Sequence, residues 1–409
     1  MRFRLVFALA ILGLLGLGGA YAKSQADDLR DRLRAGLAPY LAAVPGEGRF
    51  DYAEPLRVTG PDKDGAYTLT IDELAYRAPL EGGEMATLDL GSLPVRLLPG
   101  KDTQAVSGRL AGPIRFIADG QVRATLEAKA LTFQGAWSIP RQAFTRLEVS
   151  AQDVDLALAN GDRIAIGQAR GFFTLRGDEG PVAGTIELVD YKGRKAADQS
   201  VLILSNVRLE LSLAERRTKP RLDVDLRYQA PLPADAGPAG ELTPLSLRLK
   251  AQATPFPWQA ALRDLPSLFA DARPNPFGPA WERLKGRLHD SRTHLTLVES
   301  DARSVGLQSS GAGEARFAPT TATQGRFLFE VQGLNERIAG LSRSGQPRKQ
   351  AMQTFGLLAL VSALGEGVQV GGERRHRYRI DLTPEGGFAV NGRDLSVILT
   401  MADKAAKAP

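Results

Sequence analysis

From Tyr67 onward the chain repeats one pattern, apolar and polar residues in alternation, over runs such as "YTLTIDELAY", "QVRATLEAKALTF", "FTRLEVSAQDVDLAL", "VLILSNVRLELSL", "RLDVDLRY" and "LSLRLKAQA". A period of two is that of a strand with one dry and one wet face, since successive side chains point to opposite sides. Asp119-Gly120, Asn160-Gly161 and "GDEGP" at Gly177 to Pro181 fall between runs, where tight hairpins need residues that accept positive φ. The spacing predicts a mainly β protein, a long antiparallel meander with a few helices. One side of each strand is Leu, Ile, Val and Phe, so one sheet face must be covered. Helical segments are too few to cover it all. The sheet therefore curls on itself, pairs with a second sheet, or keeps an apolar groove open for a ligand.

The flanks of the meander differ from it. Residues 1–22 begin with a short cationic start, continue as "LVFALAILGLLGLGG" and end on Ala20-Tyr21-Ala22, the form of an export signal cut before Lys23. Leu5 to Ala22 also gives 18 uncharged residues, close to the roughly 17 needed to cross a bilayer, so an uncleaved membrane anchor through residues 5–22 is the alternative. Ser24 to Val44 carries Leu29, Leu33, Leu37 and Leu41 at helical spacing, interrupted or ended near Pro39. That helix is expected to dock across the sheet or, alternatively, to lie on a membrane. "QAPLPADAGPAGELTP", Gln229 to Pro244, is rich in Pro, Gly and Ala and reads as a linker. It divides an N-terminal helix and meander, residues 23–230, from a second β-rich half with helices, residues 245–400. Residues 401–409 are a charged, small-residue tail.

Composition narrows the function classes. No cysteine is present, so disulfides, thiolate metal sites and cysteine nucleophiles are ruled out. The formal net charge is +6, with Arg2 and Arg4 in the leader and the remaining basic residues scattered among acids. A nucleic-acid partner is not expected, because there is neither a basic stripe nor a reading motif.

Motifs for catalysis are scarce. His289 and His294 are five residues apart, a spacing that separates them on a helix and puts them on opposite faces of a strand, and His376 is remote; no metal site is expected. "GLSRSG" (Gly340 to Gly345) and "LQSSGAG" (Leu307 to Gly313) are only loosely like a serine nucleophile turn, and both read as turns. "GAGEAR" lacks the strand-to-helix setting of a dinucleotide site, and its glycines read as a bulge or kink. The pairs Asp153/Asp155 and Asp223/Asp225 sit two apart in alternating runs, as neighbours on a wet strand face. "RGD" at Arg176 to Asp178 falls in a turn. No cofactor and no catalytic residue is assigned, so the chain is read as a non-enzyme.

Two features remain. Met352, Phe355, Leu357, Leu358, Leu360, Val361 and Leu364 make a helix apolar around much of its girth, which predicts burial against the sheet. In "RRHRYRIDL" alternation puts Arg375, Arg377 and Arg379 on one face, as a solvated strand face or as a seat for an anionic head group.

The leader, the meander, the helix "QTFGLLALVSALG" and the ending "YRIDLTPEGGFAVNGRDLSVIL" together resemble an uncharacterised family of secreted proteins from Gram-negative bacteria and, in more distant outline, the AsmA-type envelope proteins. The resemblance implies an elongated sheet with an apolar trough for lipid passage, and no catalytic residues. The expectation is a periplasmic protein, soluble or tethered to the inner membrane, that binds a lipid or other apolar envelope molecule. Phe172 or Phe173 and Ile203 would meet the apolar part, and Arg375, Arg377 and Arg379 the charged head. A purely structural envelope protein and a hydrolase with an unrecognised site are the alternatives. The leader carries one direct test: a reporter fused after Pro409 should be active only outside the inner membrane, and a soluble, unprocessed cytosolic product would refute export.

Overall fold

In this computed structural model the described residues are 49–79, 85–110, 112–138, 140, 143–175, 181–197, 201–214, 219–232, 242–258, 279–343 and 349–396. The leader, the helix expected over 24–44, the "RGD" and "GDEGP" turn and the tail lie outside them, the proline that closes the turn excepted. Strand dominates, antiparallel in every described pairing, as the alternation predicts. Two compact units part between Leu202 and Ile203.

The first unit contains Arg49–Thr59 (β1), Tyr67–Pro79 (β2), Met85–Leu98 (β3), Thr103–Leu110 (β4), Ile114–Ala118 (β5), Gln121–Ser138 (β6), Ala143–Leu158 (β7), Arg163–Leu175 (β8) and Pro181–Arg194 (β9). Each strand pairs with its neighbours in sequence, except that β4 and β5 share one place in the ladder. β4 bridges the end of β3 to the end of β6, while β5 bridges their other halves. The β5–β6 hairpin turns on Asp119 and Gly120, both at positive φ (53° and 69°), as a two-residue hairpin requires.

Phe50, Leu69, Leu93, Val95, Leu97, Val106, Phe133, Trp137 and Phe144 form the buried core of this unit. A cavity of about 200 Å³ within it is lined by both Phe50 of β1 and Val149 of β7. On a flat sheet those strands, five ladder steps apart, would stand about 24 Å from each other. Their convergence means that the sheet curls to cover its own dry face. Register shifts between Ile71 and Ala75, with Glu73 and Gly91 at positive φ, break the ladder on β2 and β3 and sharpen the local twist.

The second unit comprises Val201–Ala214 (β10) from its third residue, Arg221–Gln229 (β11), Ser246–Thr254 (β12), Pro279–Asp290 (α1), likewise from its third residue, His294–Ser304 (β13), Leu307–Ala318 (β14), Thr321–Gln332 (β15), Leu334–Arg343 (α2), Lys349–Leu364 (α3), Glu366–Val370 (β16), Glu373–Leu382 (β17), Phe388–Val390 (β18) and Arg393–Asp394 (β19). The ladder runs β10 to β15 in sequence order and then to β17. β16 and β18 take the other edge of β17.

Two expectations change here. Gln229 to Pro244 is no domain boundary: β11 and β12 pair directly, Gln229 opposite Ser246, and the Ala230 N–H donates to the Leu245 carbonyl at 2.8 Å. Proline and glycine mark a loop, but whether the strands it joins pair with each other is a matter of register. The glycines of "GAGEAR" are also not the kink. The extra residue, Val298, is on β13, while a Cβ on Gly311 would run into the Phe329 ring and one on Gly313 into that of Phe327. The rings lie over bare backbone on β14.

Trp137 tests the core of the first unit. It is fully buried, edge-on to Phe144 with ring centroids 5.2 Å apart, and its Nε1–H has no acceptor among the described residues. Trp137→Ala should cost about 3–5 kcal/mol in urea unfolding. Trp137→Phe should cost clearly less, because a phenyl ring keeps much of the buried apolar volume while the N–H it deletes had no acceptor to lose. Equal losses in the two variants would show that filling this volume is not what the indole contributes.

Candidate functional site

Register arranges the dry face of the second unit in rows. Leu209, Leu226 and Leu249 stand opposite one another, as do Leu211, Val224 and Ala251, and Leu213, Leu222 and Ala253. The rows continue through Leu297, Gly313, Phe327 and Ile380 to the far edge.

Cover over this face is uneven. At one end Leu288 of α1 is buried with Ala315 and Phe317, and Leu284, Leu295, Phe256 and Phe327 pack around them. Over β17, α3 places Leu358 in a buried position, and the Tyr378 hydroxyl donates to the Val361 carbonyl at 3.0 Å. Beyond these lids, toward the β10 end of the ladder, no residue of β10 or β11 is buried, and on β12 Ala253 is the one that is. A band of leucines and valines on three adjacent strands is thus half-exposed. Among the described residues of β1 to β7 the first unit has no comparable opening: its 200 Å³ cavity falls below the roughly 300 Å³ where pockets for small ligands begin, although no described residue of β8 or β9 is buried either.

The residues singled out from sequence are dispersed. Phe173 packs against the core of the first unit, over Gly171 and Gly184. Phe172 points to the other face, 40% exposed, with the Arg146 guanidinium 4.9 Å above its ring. Ile203 is exposed and in step with Val207, Leu209 and Leu211, on the dry face of β10. Arg375, Arg377 and Arg379 do share one face, as alternation predicts, but it is the face opposite Tyr378 and Ile380. They lie six ladder steps from β10, about 29 Å along a flat sheet. Glu330 accepts from Arg375 at 3.4 Å and from Arg377 at 2.8 Å, and Asp381 accepts from Arg379 at 3.1 Å. Hydrogen bonding from Arg326 first, and then from Arg379, holds the Asp381 carboxyl below the usual carboxylate range. These arginines belong to a charged wet face.

Groups capable of catalysis are held in structural contacts. His289 Nδ1 meets the Ala318 carbonyl at 2.6 Å and Nε2 meets Thr323 Oγ1 at 3.2 Å. Among the described residues no three His, Asp or Glu side chains converge as metal ligands. Ser362 Oγ and His376 Nε2 are 3.2 Å apart, the contact a serine hydrolase would need. Yet Ser362 sits within α3, where backbone N–H groups are spent on the helix, and among the described residues no carboxylate bonds His376. A polar depression of about 480 Å³ on the first unit is lined by Glu148 as its one carboxylate, whereas glycosidase chemistry needs two. "GLSRSG" begins inside α2, and "LQSSGAG" is part of β14.

Fold and face together define an antiparallel β protein whose second unit leaves part of its apolar side uncovered. Comparison with models of protein families finds no match to this chain, and a search of curated proteins finds none. Among the described residues no helix is long and apolar enough to cross a membrane.

The α3 contact gives a pH prediction. Burial pushes the Tyr378 hydroxyl up to about 12, against roughly 10 in an unfolded chain. A raised value favours the neutral form in the folded state. Its contribution is therefore complete below pH ~10 and is lost as pH rises toward ~12. Tyr378→Phe should lower stability by about 0.5–1.5 kcal/mol at pH 8 and flatten the alkaline limb of a thermal-melt series. An unchanged alkaline limb would remove Tyr378 as its cause.

Proposed function

We propose that this is a non-catalytic protein of the bacterial periplasm that binds a lipid acyl chain, or another apolar envelope molecule, along the half-exposed face of β10, β11 and β12. One observation carries the reading: rows of Leu, Val and Ala run in register across three strands, and almost none of these side chains is buried. Water against such a face is unfavourable, and an acyl chain laid on it gains about 0.8 kcal/mol per buried methylene. No polar motif is needed for such affinity. Ile203, at the start of β10, extends the same surface. The anionic head, if the ligand has one, is not assigned to Arg375, Arg377 and Arg379, which face away from the band. The resemblance to AsmA-type proteins points in the same direction, and the export signal read in residues 1–22 supports the compartment.

Protein purified gently from its native envelope should carry lipid visible by native mass spectrometry. Leu226→Asp, in the centre of the band, should reduce lipid retention and weaken binding of a fluorescent fatty acid tenfold or more, with the circular dichroism melt nearly unchanged. Wild-type protein that carries no lipid and fails to bind the fluorescent fatty acid would overturn the proposal in favour of a purely structural role.

A further inference from the structure

The wet face of the same strands holds an arrangement that apolar binding does not use. Register sets Arg208 opposite Arg227 and Arg227 opposite Arg248, so three guanidinium groups stand in one cross-strand row. Like charges directly opposite each other destabilise a sheet unless counter-charge lies beside them. On one side it does. Glu210, Asp225, Lys250 and Glu299 form the next row. Arg227 donates to Asp225 through Nε at 2.9 Å and Nη2 at 2.7 Å, Arg208 Nε to Glu210 at 2.7 Å, and Arg248 Nη1 to Glu299 at 3.3 Å.

The row on the other side contains no acid. It is Asn206, Gln229, Ser246 and Arg303, two amides, a hydroxyl and a fourth guanidinium. These residues and the three arginines line a cleft of about 300 Å³. Asp301 is its one carboxylate, and it accepts from Arg303 Nε at 3.3 Å and Gln308 Nε2 at 3.4 Å. Arg248 Nε is shielded from solvent and has no hydrogen-bond partner among the described residues. Buried N–H donors are normally satisfied. The cleft thus offers guanidinium, amide and hydroxyl donors, with Asp301, opposite Arg248 at the end of the arginine row, as its one built-in anion.

We propose that this cleft binds a phosphate group, either as a free phosphate ester or as the head of a phospholipid. A tetrahedral oxyanion can accept from several guanidinium forks at once and from the amides and hydroxyl between them. The site lies on the opposite face from the acyl-binding band and stands or falls separately from it.

The test is calorimetric titration of the full chain with inorganic phosphate and with glycerol phosphate, beside flotation with phosphatidylglycerol and phosphatidylcholine vesicles. Two variants are compared. Arg227→Gln removes the central guanidinium. Asn206→Asp places a carboxylate in the neutral row while leaving every arginine in place, so a folding defect in the first does not decide the outcome. Arg123→Gln, in the first unit, is the control. Saturable phosphate binding that weakens tenfold or more in both variants and is unchanged in the control supports the site and identifies a soluble ester. Binding to phosphatidylglycerol vesicles alone, lost in both variants, supports it and identifies the lipid head. Absence of both kinds of binding in the wild type, or binding that Asn206→Asp leaves intact, overturns it.

Discussion

The antiparallel ladder commits every strand residue to a face, and everything else in this molecule follows from how that commitment is met. A one-residue slip would carry the leucines of a whole strand into water, so the pairing of Leu226 with Leu209 and Leu249 holds the wet and dry sides apart. In the first unit the dry side closes over β1 to β7. Bulges at Glu73 and Gly91 turn the sheet, and Trp137, Phe133, Phe144 and Phe50 are large enough to fill the space that the curl encloses. In the second unit the rows across β10 to β12 are Leu, Val and Ala, and the described helices cover only parts of that face. The two units thus differ in side-chain volume and cover more than in topology.

Charge follows the same division. Arginine and aspartate at alternating positions cannot reach the apolar side, so they pair along and across the wet one. Asp225 shows the result: hydrogen bonding from Arg227 first, with Arg248 and Lys250 adding to it, outweighs the cost of burial and keeps its carboxyl below the usual range. Such a group contributes stability above the unfolded value near 4, and the contribution fades as pH falls through the lower folded value. Arginine-rich stretches such as "RRHRYR" look like sites in one dimension. In three they are largely neutralised by the partner strand, as Glu330 does for Arg375 and Arg377.

What could be read from the sequence was whatever depends on local period. Strands, the hairpin at Asp119-Gly120, the helix α3 and the shared face of Arg375, Arg377 and Arg379 all follow from spacing, but the burial expected of α3 does not hold all round: Leu358 is buried, while Phe355 and Leu360 are exposed. What depends on register could not be read. No spacing rule says that Arg208, Arg227 and Arg248 meet in one row, or that Gln229 to Pro244 joins two paired strands. Nor does spacing show that Gly311 and Gly313 are bare so that Phe329 and Phe327 can lie over them. Phe172 and Phe173 show the limit most simply: adjacent letters, one on the core and one under Arg146 on the wet face.

The nearest-neighbour order of the strands has a kinetic side. In each unit a new strand usually joins an edge made by the strand just before it, across a short connection. Loop-closure entropy is then small at each step, unlike a Greek key or barrel whose first and last strands must find each other. Assembly of this kind is close to one-dimensional: growth adds one hairpin arm at a time, and a local defect halts the front without undoing what precedes it. The same economy leaves every partial structure with an open, growing edge, so the speed of zippering is also what shortens the time that this edge is exposed to other chains.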